Sequence, residues 1–169
     1  YKYPQAEFPY ARLAAEARRR SNRGPEFELL DTGVFDGGRY WDVTAQFAKA
    51  GVDDLAIRIT VTNRGPAPAT LHLLPTLWFA NSWSWTSGAP RPTLHAAAPG
   101  VVHAAHPTLG HYDCWFEEDP PLWFTENETN VNRLYGWNNA GPFKDAFHDL
   151  VIHGNPAARR DLGTKCCGW

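Results

Sequence analysis

Methionine is absent from all 169 residues, position 1 included, and cysteine occurs only three times. A natural chain of this length ordinarily contains methionine, so the ends are expected not to be those of an intact gene product. The odd cysteine count excludes a fully paired disulfide framework, and Cys166 and Cys167 are adjacent. Neighbouring Cα atoms lie about 3.8 Å apart, short of the usual disulfide span of about 4.4 to 6.8 Å, so a bridge between these two would be strained. Free thiols in a reducing compartment, the cytoplasm, are expected. No apolar run approaches the roughly 20 residues that cross a bilayer. Tyr1-Lys2-Tyr3-Pro4 has neither the charged start nor the apolar core of a signal peptide. Charge of one sign is also lacking: 16 basic against 18 acidic side chains leave a formal charge of -2, too little to attract nucleic acid or a membrane surface. There is no internal repeat, low-complexity stretch, Walker loop, Gly-x-Ser-x-Gly elbow or dinucleotide fingerprint.

What is present suits one packed core. With 43% hydrophobic and 14% aromatic residues, the chain has apolar surface for one domain and too little length for two, so 1–169 reads as a single domain. From Pro9 to Arg20, Tyr10, Leu13, Ala14 and Ala17 recur at helical spacing, with three arginines at the end and Gly24-Pro25 as a stop. The period then changes. Trp41, Val43, Ala45 and Phe47 alternate with polar residues, and Leu55, Ile57, Ile59 and Val61 do the same after the turn Gly51-Val52-Asp53-Asp54. Thr70 to Phe79 is apolar on both faces and reads as a strand covered on both sides, with Pro75 demanding a bulge or an edge. Further strands are expected at His95 to Ala98, Val101 to Ala105, Tyr112 to Phe116 and Leu122 to Thr125. Lys144 to Ile152 fits a helical stripe better than a strand, although Leu150-Val151-Ile152 could open one. Short strands between Gly/Pro turns point to a mainly β fold, an antiparallel β-sandwich with a short N-terminal helix and a short helix near the C-terminus.

Candidate chemistry is sparse. None of the carboxylates is singled out by spacing as one of a catalytic pair, and Glu117-Glu118-Asp119 before Pro120-Pro121 reads as a solvated turn. His103 and His106 have a helical ligand spacing but lie in a strand-like segment, where three residues apart means opposite faces. No metal site and no cofactor are expected. Asn127-Glu128-Thr129 matches the glycosylation sequon, a tripeptide common by chance, and is expected to be unmodified. The unusual feature is Trp78-Phe79 followed by Asn81-Ser82-Trp83-Ser84-Trp85, which sets large rings among amide and hydroxyl groups. Flat indoles beside polar donors suit a sugar's apolar face and polar rim, and equally suit packing against a core or a neighbouring domain.

Several long runs carry a resemblance. Tyr1 to Tyr10, Glu26-Phe27-Glu28-Leu29-Leu30-Asp31-Thr32-Gly33, Ile57 to Pro66, Leu71 to Phe79 with Trp83-Ser84-Trp85, Pro121 to Asn130, Lys144-Asp145-Ala146-Phe147-His148 and Gly163-Thr164-Lys165 are ordered along the chain. Together they resemble the bacterial branch of glycoside hydrolase family 63, the mannosyl-oligosaccharide glucosidase-like enzymes. The resemblance implies a longer inverting α-glycosidase, with an N-terminal β-sandwich and a catalytic (α/α)6 barrel that holds its Asp acid and Glu base. No counterpart of the barrel is present, so no catalytic residue carries over, and this chain alone is expected to be inactive.

The expected role is therefore an incomplete super-sandwich that supports the barrel of its parent chain and lines one rim of a cleft for a small α-glucoside or α-mannoside. Trp83, Trp85, Glu126, Asn127 and Asn130 are the rim candidates. An autonomous carbohydrate-binding module is the alternative, and a fragment hydrolytic by itself is a third reading that would need two facing carboxylates. The tail Cys166-Cys167-Gly168-Trp169 departs from the family pattern and reads as a frameshift, truncation or junction.

Overall fold

The alternation from Trp41 onward folds as a long antiparallel hairpin. In the computed structural model, which describes residues 1–169, the chain divides into two compact units, 1–71 and 72–169. The first holds β1 (Lys2–Pro4), α1 (Tyr10–Arg19), β2 (Tyr40–Lys49) and β3 (Leu55–Asn63). The strands form one sheet in the order β1-β2-β3. The β2–β3 register pairs Val43 with Val61, Ala45 with Ile59 and Phe47 with Ile57, so one face of the ribbon is continuously apolar. Only its Trp41 and Val43 end is buried; Phe47 is 72% exposed and Ile57 59%. The expected half-buried strands are thus present in position but mostly uncovered. No residue of α1 is buried either; Glu16 ties its last turn to Arg19 and Arg20.

The second unit contains β4 (Thr76–Trp78), β5 (Thr93–Ala98), β6 (Val101–His106), β7 (Gly110–Trp115), β8 (Leu122–Thr125), α2 (Val131–Tyr135), α3 (Ala146–His153), β9 (Leu162–Gly163) and β10 (Lys165–Gly168). They make a three-stranded sheet, β4-β10-β8, and a four-stranded one, β7-β6-β5-β9, with every pairing antiparallel. Leu94, Val102 and Ala104 of the larger sheet share a buried cluster with Phe124 and Cys166 of the smaller. On the other face of the smaller sheet, Trp123 and Cys167 join Ala146, Phe147 and Leu150 of α3, together with Ala158. The unit is therefore sheet, sheet and helix in three layers, a mainly β, sandwich-like arrangement. Full burial of a side chain such as Phe124 stabilises by about 1.5–3 kcal/mol.

The two-sided burial explains the adjacent cysteines. Successive residues of a strand face opposite ways, so Cys166 enters one cluster and Cys167 the other, both wholly buried and both free. Burial pushes each thiol up to about 12. The tail that reads as a junction is thus the central strand of its sheet, and Trp169 after it packs at a tilt against Trp123, with ring centres 4.6 Å apart, and donates Nε1–H to His72 at 3.0 Å.

Several expected elements keep their place and change in extent: β5 begins two residues earlier than expected, and β7 runs over Gly110–Trp115 rather than Tyr112 to Phe116. The strand expected at Thr70 to Phe79 is confined to Thr76–Trp78, because Pro75 has no N–H to offer a ladder. The stripe near the C-terminus is helical as favoured, and Gly154 at φ 67° closes α3 with an N–H to the Leu150 carbonyl.

Candidate functional site

The end of β8 leads into Glu126-Asn127-Glu128, and three separate segments converge on it. The β8–β10 register sets Thr125 opposite Lys165, which brings Thr164 beside Glu126. The Asn127 N–H donates to Thr164 Oγ1 at 2.7 Å, and that hydroxyl donates to Glu126 Oε2 at 2.9 Å. Arg91, from the Pro90-Arg91-Pro92 turn, places one guanidinium nitrogen 2.9 Å from Glu126 Oε2 and 2.7 Å from Glu128 Oε1. Trp83 donates its indole N–H to the same Glu128 oxygen at 3.2 Å, and the guanidinium lies 5.8 Å from the Trp83 ring centre. Asn127 also holds the 79–81 segment, donating Nδ2–H to the Phe79 carbonyl at 3.0 Å and accepting at its own carbonyl from Asn81 at 2.8 Å.

The rim candidates therefore separate by role. Trp83 is buried and acts through its N–H, whereas Trp85, two residues on in the same short 3-10 turn, is 81% exposed with its indole face free. Glu126 and Asn127 belong to the network with Trp83. The Asn127 amide, which the sequon would modify, is committed to Phe79. Asn130 is not part of this cluster. Its Oδ1 accepts from the Arg133 N–H at the start of α2 and its Nδ2 donates to Asp145 at 3.0 Å, while Arg133 bridges Asp145 and Asp149 at 3.0 and 3.1 Å. A cavity of about 260 Å³ lies there, lined in part by Asn130, Asn132, Asn139, Asp145 and Asp149.

Several features escape a reading of the sequence. Arg91 and Thr164 are the joints of the network, and neither stands out locally because each meets its partners only once distant segments are brought together. Tyr135 and Trp137 form an exposed ring pair with centroids 5.5 Å apart. His106 packs at a tilt against Phe79, with ring centres 4.7 Å apart, and accepts from the Thr108 and Leu109 N–H groups, whereas His103 faces Asp113. Two buried oxygens, Asn81 Oδ1 and Thr125 Oγ1, have no hydrogen-bond partner. No group of three or more His, Cys, Asp or Glu side chains is arranged to hold a metal ion, and no helix is long and apolar enough to cross a membrane.

No family model matches the chain, and no solved structure matches it. The uncharacterized protein YMR196W of Saccharomyces cerevisiae is similar: it is 28% identical over 206 aligned positions, which cover 99% of this chain and 19% of the yeast protein. The chain thus spans about a fifth of the length of the curated relative it matches.

Proposed function

We propose that this chain is a non-catalytic β-sandwich portion of a larger inverting α-glycosidase, glucosidase-like and of the kind its sequence runs resemble. It supports the catalytic (α/α)6 barrel of the parent chain and forms one rim of a cleft for a small α-glucoside or α-mannoside. The observation that carries the reading is the network of Trp83, Glu128, Arg91, Glu126 and Thr164. It ties residues 37 and 38 positions apart to one another, beside the free indole of Trp85. A rim needs that combination, because a sugar is oriented by groups whose own positions are already held. The yeast relative adds support, since the matching stretch is a minor part of a much longer chain. Three unbridged thiols suit a reducing, cytoplasmic compartment.

The role is orientation and exclusion of water rather than proton transfer. Glu126 and Glu128 both contact a single guanidinium nitrogen, so a cation fills the space between them. The carboxyls of an inverting enzyme instead stand about 6.5 to 9.5 Å apart around a water molecule.

A second reading, an autonomous carbohydrate-binding module, is favoured by the exposed rings of Trp85, Tyr135 and Trp137. The two part in one experiment: intrinsic tryptophan fluorescence of the chain titrated with glucose, mannose and short α-glucosides, run beside release of sugar from an aryl α-glucoside. The scaffold reading expects neither a saturable change nor turnover. A saturable change lost in Trp85→Ala without turnover establishes the binding module instead, and turnover overthrows both.

A further inference from the structure

The outer face of the sheet β7-β6-β5-β9 carries polar side chains that the proposed rim leaves unused. Because Leu94, Val102 and Ala104 point into the core, strand alternation turns their neighbours His95 and His103 to the opposite face. The register sets His95 opposite His103 and His103 opposite Asp113. His111, two residues from Asp113 on β7, shares that face. As a result Asp113 Oδ1 lies 2.7 Å from His103 Nδ1, and His103 Nε2 lies 3.2 Å from His111 Nδ1. His95 follows, its ring centre 5.2 Å from that of His103. All of these side chains reach solvent.

The hydrogen bonds dictate the tautomers. An ionised carboxylate only accepts, so His103 donates from Nδ1 and keeps a lone pair on Nε2, aimed at His111. A carboxylate behind an imidazole is the arrangement that orients histidine ligands of metal ions and raises the basicity of the ligating nitrogen. Two nitrogens 3.2 Å apart can share a cation bound at about 2.0–2.1 Å from each, with an angle at the metal on the order of 100°, close to tetrahedral.

We propose that His103 Nε2 and His111 Nδ1 form a two-imidazole site for a first-row divalent cation of the Zn2+ class, with Asp113 as the residue that positions His103. No third ligating side chain is arranged with them, so solvent completes the coordination and positions remain open. Without a cation the two ring planes lie 24° from parallel with centroids 5.4 Å apart, and a hydrogen bond joins the facing nitrogens. Binding tilts both rings about χ2, a soft torsion in histidine. In the same step the His111 proton leaves Nδ1 for Nε2 through solvent, so the neutral pair takes up the cation with no net release of protons. Imidazole nitrogen selects Zn2+, Ni2+ or Cu2+ over Mg2+ or Ca2+, which prefer oxygen.

Calorimetric titration of the whole chain with Zn2+ at neutral pH tests the site. One saturable site is expected, weakened on the order of tenfold or more in His103→Gln, in His111→Gln and in Asp113→Asn, and unchanged in His148→Gln on α3. In the unsubstituted protein, substoichiometric Cu2+ should broaden the His103 and His111 ring signals in NMR spectra before those of other histidines, a readout that needs no variant to fold. Absence of saturable Zn2+ binding, binding that survives the His103→Gln/His111→Gln double variant, or broadening that begins at another histidine would each overturn the proposal.

Discussion

Residues 1–71 and 72–169 are built from the same material, antiparallel strands with alternating apolar and polar side chains, and they end in opposite conditions. In the first unit the apolar face of β2 and β3 is buried only at Trp41 and Val43, and Phe47, Leu55 and Ile57 stand in solvent. In the second, the facing sheets and α3 enclose Leu94, Val102, Phe124 and Phe147 almost completely. Alternation specifies a strand, while burial needs a second layer, which the second unit contains and the first, taken by itself, does not. The candidate rim lies in the covered unit, where strand pairing can hold it.

That contrast sets the largest expected effect. Phe124→Ala should cost about 3–5 kcal/mol, since it opens a cavity between two sheets, whereas Phe47→Ala should change stability by less than about 0.5 kcal/mol. Urea unfolding of both variants checks the pair, and a comparable loss at Phe47 would mean that the ribbon's apolar face is covered in solution. Alkaline pH probes the same core chemically. Burial raises the Cys166 and Cys167 thiols from 9.0 to about 12. Their contribution to stability is therefore complete below pH 9 and is lost as pH rises toward 12, by about 1.4 kcal/mol per pH unit for each thiol. Replacing both with Ala should flatten that part of the stability profile.

A smaller effect is expected at Gly163, where an added Cβ would fall on the Thr125 carbonyl oxygen. Gly163→Ala should cost about 1–3 kcal/mol, measured by the same unfolding assay, because backbone on both sides must shift. The smallest separates the two tryptophans. Trp83→Phe removes the N–H that Glu128 accepts and should cost about 1 kcal/mol. Trp85→Ala should leave stability unchanged within about 0.5 kcal/mol, as expected of an exposed side chain.

Much of the fold is legible from the residues themselves, and what escapes has physical causes. β2, β3 and β8 follow from period-two alternation or from a compact apolar run bounded by turns. β10 does not, because a strand buried on both faces has no alternation, and Cys166-Cys167-Gly168 lacks the β-branched residues that usually mark one. Coverage escaped for a different reason: the pattern in Phe47 and Ile57 is the same whether or not another layer lies over it. At the site, Trp83, Glu126 and Asn127 stand out by type and by their setting in polar segments. Thr164 does not, because its relation to Glu126 exists only through the register of β8 and β10, and Arg91 does not, because its turn before β5 is brought there by the pairing of β5 with β9. Asn130 looks continuous with that group in sequence, yet capping α2 turns its side chain toward Arg133 and Asp145.

The Glu126-Asn127-Glu128 segment, the proposed rim, is held by Thr164 as a prearranged part of the packed second unit rather than a mobile surface loop. Native-state hydrogen exchange tests it at the Asn127 amide, which donates to Thr164 Oγ1 at 2.7 Å. This amide is expected to exchange as slowly as those of β8 and β10, while amides near the β2–β3 turn exchange at least on the order of a hundredfold faster. Exchange at Asn127 as fast as at the hairpin turn would contradict it.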